Sequence, residues 1–490
     1  MARMDSIHTK NTAPIFIGKM TRKQFRHDMH RGLGSCQLEM ERCTNIEDFR
    51  SEVLWGMQYA LAYDAQCEGT RAIYLFEMIE RFDDWSEFHA FAAAGAKRNL
   101  KDPGWRFFHY AEIIALMAGA GYEPARQTTT ELYEVLLQAI RAGRPSRNGV
   151  WSALDNYSRC CVSVLTNVLQ TQEDREEFYL RVLADYGKIL AQKSSLGSRC
   201  DDEWFEVVAE EYIGEARIQE LLARERDNRD LARYLRNRES LQESREAFQA
   251  QRRQEEKEET AESIYEKLCS GAVPGRDLPL LLLRRVEQED ISKLTRLYAE
   301  EEREELRKAI LRLFRIKSNV SAMEDAAVSR LLKDAESENE LLRNEALRVL
   351  DDLGHESVRD YALQRLKQKP KDIDALYMLL SNFRPGDGKR LIPMVKAASL
   401  NKYNGDWHGV FTEVRNLIEQ NSDADHELST ALLPYIYREG FCSCCRLRTL
   451  KLMQPRSLLT PELIEECLRD CDLEIREFVE GLQTEEEGKA

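Results

Sequence analysis

Asp64, Glu68 and Arg71 stand four and seven residues apart, so one continuous helix would bring two carboxylates and a guanidinium to a single face. A carboxylate pair beside an arginine suits three chemistries: holding a cation, orienting a phosphate, or passing a proton between an acid and a base. His27, His30 and Arg31 precede this trio, and the two histidines, three apart, share a face of any helix they occupy. These groups meet the trio only if tertiary folding brings them there. Gly69 interrupts the trio and argues for a break in the helix. Charged groups of this kind also tie helices to one another. The cluster is therefore read as structural or partner-binding ahead of catalytic, with Arg71 paired to Asp64 or Glu68 and its stem packed beside aromatic rings.

The densest set of thiols is Cys442, Cys444 and Cys445, followed by Cys467 and Cys471 four apart on one expected helix. Four thiolates can close a zinc site, but the spacing lacks the usual pair of C-x-x-C knuckles. Adjacent Cys444 and Cys445 on a helix point about 100° apart. Reduced cysteines packed between helices are the expected arrangement, with no zinc and no cofactor. The two-histidine signature of metalloproteases, the phosphate-binding loop and the dinucleotide fingerprint are all absent. No nucleophile elbow occurs either. Gly32 and Gly34, flanking Leu33, read as a tight connection between helices.

The elements that must position these residues are helices. Phe49, Val53, Leu54, Met57 and Leu61 mark a helix from Ile46 to Leu61, and Ile73, Leu75, Phe76 and Ile79 mark another from Thr70 to Phe82. Thr130 is placed to cap a helix through Leu132, Val135, Leu136 and Ile140. Five of the six tryptophans lie before residue 214, so any concave site is expected in this aromatic-rich half. Between residues 215 and 262 the composition shifts to Arg, Glu and Gln, as in an exposed connecting helix.

Beyond it, apolar helical segments restart after short breaks. Leu341, Leu342, Ala346, Leu347, Val349, Leu350 and Leu353 form one stripe, with Gly354 placed to end the helix. Val358 to Leu366 form the next, and Asp372 is placed to cap a third. Thr460 followed by Pro461 marks a later start. The run Asn344 to Leu350 resembles the second helix of HEAT repeats, as does Cys445 to Met453, with matching helices about 30 to 40 residues apart. The resemblance covers the last 220 or so residues and implies a curved scaffold that binds proteins or, less often, nucleic acid. The expected architecture is thus an all-α, HEAT-like helical-hairpin solenoid. It comprises a leader (1–20), an irregular N-terminal helical domain (21–214), a charged linking helix (215–262) and a repeat domain (263–490), whose hairpins contact mainly their sequence neighbours.

The formal charge of -15 opposes wide nonspecific binding to nucleic acid and favours a basic or mixed-charge protein partner. No apolar run approaches the ~20 residues that span a bilayer, and no secretory signal opens the chain, so a cytoplasmic protein away from membranes is expected. The function expected is a noncatalytic, protein-binding scaffold or regulatory subunit. Two alternatives stand beside it: a HEAT-like protein of nucleic-acid binding or base repair, and a small-molecule enzyme using the N-terminal polar cluster.

Overall fold

The computed structural model describes residues 16–17, 20–62, 71–100, 105–141, 150–192, 203–254, 260–270, 288–314, 323–399, 406–420 and 426–487. Within them the chain is all-α, apart from a two-residue ladder in which Phe16 faces Thr21 and Ile17 faces Met20. Asp64 and Glu68 lie outside the described residues. The fold divides into two units. One holds Met1–Ala247 together with Phe441–Leu447 and Leu459–Ala490; the other holds Phe248–Gly440 and Arg448–Leu458. The last segments thus belong with the first helices, which differs from a repeat domain running unbroken over 263–490.

The N-terminal unit is organised around the helix Trp105–Gly119. Phe107, His109, Tyr110, Ile113, Ile114, Ala115, Met117 and Ala118 are buried on all sides of it, as expected of a helix with no polar face. It packs against Ala72–Ile79, Ser86–Asn99, Glu123–Arg141 and Val150–Ser163. Thr130 does not cap the helix that follows. Glu123 and Pro124 start it two turns earlier, and Thr128, Thr129 and Thr130 instead return their hydroxyls to the carbonyls of Pro124, Ala125 and Arg126. The expected helix from Ile46 begins as a 3₁₀ turn, Ile46–Phe49, capped by Asn45, before Arg50–Tyr59 continues as α-helix.

In the other unit helices pack both on the next helix and, repeatedly, on the second one along the chain. Gln288–Glu300 meets Asp325–Asp334, Glu304–Phe314 meets Glu340–Leu350, Asp325–Asp334 meets Glu356–Gln368, and Glu340–Leu350 meets Ile373–Ser381. That alternation is how consecutive helical hairpins bury their stripes. Asn339 accepts from Leu341 N and Leu342 N, and Asp372 accepts from Ala375 N at 3.1 Å, so both caps satisfy donors that open their helices. Leu341 falls off the stripe and is 57% exposed. The helix ends at Leu350 rather than at Gly354, and Ser381 Oγ donates to the Asp351 carbonyl just beyond it at 2.5 Å. Arginine–carboxylate pairs recur between segments 27 to 29 residues apart: Arg307 with Asp334, Arg359 with Asp387, and Arg448 with Glu419. Arg359 donates to both Asp387 oxygens, at 2.7 and 2.9 Å, and to the Asn382 carbonyl at 2.9 Å.

Candidate functional site

Two clusters of polar side chains stand out, one in each unit. The first gathers around the end of the helix Arg22–Arg31. Thr21 opens that helix, and Gly32 closes it in the left-handed region at φ 73°. The chain then turns directly into Ser35–Glu41, leaving four successive carbonyls without helical donors. Each finds one elsewhere. His30 O accepts from Arg71 Nη1, Arg31 O from Arg446 Nη1 at 2.7 Å, Gly32 O from Cys471 N at 2.9 Å, and Leu33 O from Tyr74 Oη at 2.7 Å. Two guanidinium groups at a helix C-terminus also meet the negative end of its dipole.

Arg71 is buried and reaches the Phe441 carbonyl at 3.0 Å as well. Arg31 places its guanidinium 4.2 Å from the centre of the Phe441 ring, and His30 meets the same ring edge-on at 5.0 Å. His27 Nδ1 lies 2.9 Å from Asp28 Oδ1. Asp28, itself buried, accepts from Gln24 and Ser35, each at 2.7 Å. The structure therefore brings together His30, Arg31 and Arg71, and uses them to dock the last segments of the chain onto the first helices. Arg446 and Asp470, both wholly buried, form its inner ion pair at 2.6 Å. Burial pushes the Asp470 carboxyl up, and the Arg446 guanidinium opposes that shift.

The thiols differ in exposure. Cys442 and Cys467 are buried, Cys445 is half-buried and Cys444 is exposed. Cys471 Sγ accepts from Arg446 at 3.5 Å, and burial pushes its thiol up to about 11. Neither Cys467 nor Cys471 belongs to a set of three His, Cys, Asp or Glu ligand atoms within 4.8 Å of one another among the described residues. The Cys471 thiol therefore stays protonated and poorly nucleophilic at neutral pH.

Sequence reasoning passed over Arg446, Asp470 and His109. Arg446 stands between Cys445 and Leu447, and Asp470 between Arg469 and Cys471, each among other charged residues, so local sequence carried no signal that set them apart. His109 is fully buried on the central helix, with Nε2 3.2 Å from the Met57 carbonyl, which fixes that nitrogen as the donor. Its Nδ1 has no hydrogen-bond partner among the described residues. Burial, with lesser repulsion from Arg71 and Arg106, pulls its pKa down to about 4. The folded state thus takes up the His109 proton later than the unfolded chain does, so stability present above about pH 6.5 is lost as pH falls towards 4. That loss amounts to about 3 kcal/mol. Urea unfolding at pH 7 and at pH 4 is expected to show it in the natural chain and not in His109→Gln, which keeps a donor for Met57 but does not titrate. Equal acid sensitivity of the two proteins would reject this role.

The N-terminal unit also carries an open groove of about 770 Å³ between Gln172–Gln192 and Glu215–Arg224. Charged groups rather than aromatic rings line it. Arg217 spans the groove and donates to both Glu176 oxygens at 2.9 and 2.8 Å, so its charges satisfy one another.

The second cluster is an acidic ledge in the hairpin unit. Asp351 and Asp352 close the helix Glu340–Leu350, Asp372 and Asp374 open Ile373–Ser381, and Glu413 sits on Asp406–Gln420. Arg365 satisfies Asp372 at 2.8 Å and reaches Asp374 at 3.4 Å. Asp351 Oδ1 is buried and accepts no hydrogen bond among the described residues. Burial first, then the negative charges of Asp374 and Asp352, hold its carboxyl well above the usual range. Burial likewise raises Asp352, and burial with the charge of Asp352 raises Glu413.

Comparison with protein-family models finds no family that matches this chain, and comparisons with curated proteins and with solved structures find no match either. Among the described residues no helix is long and apolar enough to cross a membrane.

Proposed function

We propose that this chain is a noncatalytic, protein-binding scaffold or regulatory subunit of the cytoplasm, built on HEAT-like helical hairpins. The observation that carries the reading is the recurrent packing of helices in the hairpin unit on the second helix along the chain. Stacked hairpins present a ridged surface assembled from many short turns, and such surfaces serve binding more readily than chemistry. The charge of -15 supports a basic or mixed-charge protein as the partner. The polar residues with catalytic potential also support it, since His30, Arg31 and Arg71 are engaged in joining helices.

The test is affinity capture of the full chain from its native host, followed by reconstitution with the purified partner. A stoichiometric complex that survives nuclease treatment is expected. An assembly that dissolves with nuclease favours the nucleic-acid alternative, and turnover of a small molecule that fails on Arg71→Ala favours the enzyme; either overturns the scaffold.

A further inference from the structure

Resting on the scaffold reading, we propose that the ledge of Asp351, Asp352, Asp374 and Glu413 is the docking site for an arginine-bearing segment of the partner protein, with one guanidinium reaching Asp351 Oδ1. Three observations carry the assignment. The first is the orphaned oxygen: Asp351 Oδ1 is buried without a donor among the described residues, whereas Glu345 and Asp470, which also bury one such oxygen, each accept from an arginine at the other. A buried acceptor left unpaired is costly, and an incoming cationic donor relieves that cost.

The second is charge. Asp352, Asp372 and Asp374 all act on Asp351, and Arg365, the cation opposing them, is already committed to Asp372 and Asp374. Around Glu413 the opposing cations are Arg415 and Arg448, and Arg448 is itself paired with Glu419. The third is spacing. Among the described residues no three of these carboxylates bring oxygens within 4.8 Å of one another, as a bare metal ion requires. A guanidinium is wider, carries five donors in a planar fork and is weakly hydrated, so it can serve carboxylates that an ion cannot gather.

The ledge also predicts a proton linkage. Asp351 is held well above its usual range even with Arg365 opposing the shift, so seating a further guanidinium expels a proton. Affinity should therefore rise with pH, by up to about tenfold per unit below the folded pKa of Asp351, and fall with salt.

The experiment uses the full chain and a fluorescein-labelled peptide of alternating arginine and serine, with citrulline replacing arginine in the uncharged comparison. Anisotropy is expected to show binding of the arginine peptide, weakened at least about tenfold by Asp351→Asn/Asp352→Asn. A charge-matched variant, Glu300→Gln/Glu338→Gln, removes two exposed carboxylates that do not act on Asp351 and is expected to bind nearly as the natural chain does. Asp351→Asn alone should flatten the pH dependence while keeping or raising the melting temperature, because it puts a neutral group that does not titrate where burial disfavours the carboxylate. A lowered melting temperature with unchanged binding would make Asp351 a structural residue. Equal weakening by both double variants, equal binding of the citrulline peptide, or no binding of either peptide also overturns the ledge. A reconstituted partner complex indifferent to Asp351→Asn/Asp352→Asn overturns the ledge but leaves the scaffold standing, whereas capture of nucleic acid alone defeats the scaffold itself.

Discussion

Arg446→Met is expected to destabilise the N-terminal unit by about 3 to 5 kcal/mol, because it leaves the Asp470 carboxylate buried without its cation. The two side chains are wholly enclosed and 2.6 Å apart, so no water compensates for the missing guanidinium. Asp470→Leu should cost a similar amount by stranding the arginine. The double variant Arg446→Met/Asp470→Leu buries no charge and should be less damaging than the sum of the single changes. It will not recover fully, since Arg446 also serves the carbonyls of Arg31 and Phe441, and each buried acceptor left unpaired costs about 1 to 3 kcal/mol. Urea unfolding of the four proteins measures the coupling. Strict additivity would mean that the two residues act independently.

Gly34→Ala tests the same junction by shape instead of charge. At φ -66° the backbone of Gly34 suits alanine, and lowering unfolded-chain entropy would by itself stabilise the protein by about 0.4 to 1 kcal/mol. A methyl group there would stand 1.9 Å from the Glu466 carbonyl oxygen and 2.8 Å from the Arg469 carbonyl carbon. Those atoms are backbone and cannot rotate aside, so overpacking of about 3 kcal/mol should win. Gly481→Ala is the comparison: it lies inside the helix Leu473–Glu487 with nothing within 4 Å of the added methyl, and should stabilise by up to about 1 kcal/mol. Amide hydrogen exchange should show 461–487 opening in the first variant and not in the second. An unchanged melting temperature for Gly34→Ala would show that the close approach is not needed.

What sequence revealed was whatever rests on local patterning. Asp372, Thr460 and Pro461 were legible as helix starts because a capping group and the backbone donors it accepts from lie within one turn. Gly32 and Gly34 were legible as a tight connection, although what comes close to them was not. Thr130 misled because a cluster of threonines can cap a helix or bond back within one, and only the placement of Glu123 and Pro124 decides between these. Leu341 misled because a stripe is assigned by spacing, whereas the first turn of a helix can rotate its side chain to solvent. The candidate site was half visible. Arg71 showed itself as a cation near aromatic residues, but the acceptors it meets among the described residues include backbone carbonyls, and one of them lies 370 residues away. Periodicity carries no record of such pairings. The acidic ledge escaped for a related reason, since its residues come from three helices and each looks alone like an ordinary cap or surface acid.

The distance along the chain between Arg31 and Arg446, 415 residues, sets a timetable for biosynthesis. At about 5 to 20 residues per second, a ribosome that has released the first helix needs roughly 20 to 80 s to make the arginine that completes it. Throughout that interval the end of Arg22–Arg31 lacks the donors that Arg446 and Cys471 will supply, and the glycine hollow at Gly34 stands open. Nascent chains should therefore engage chaperones at their N-terminal helices until the final segments emerge, and a premature stop near residue 440 should leave those helices with the same unmet contacts permanently.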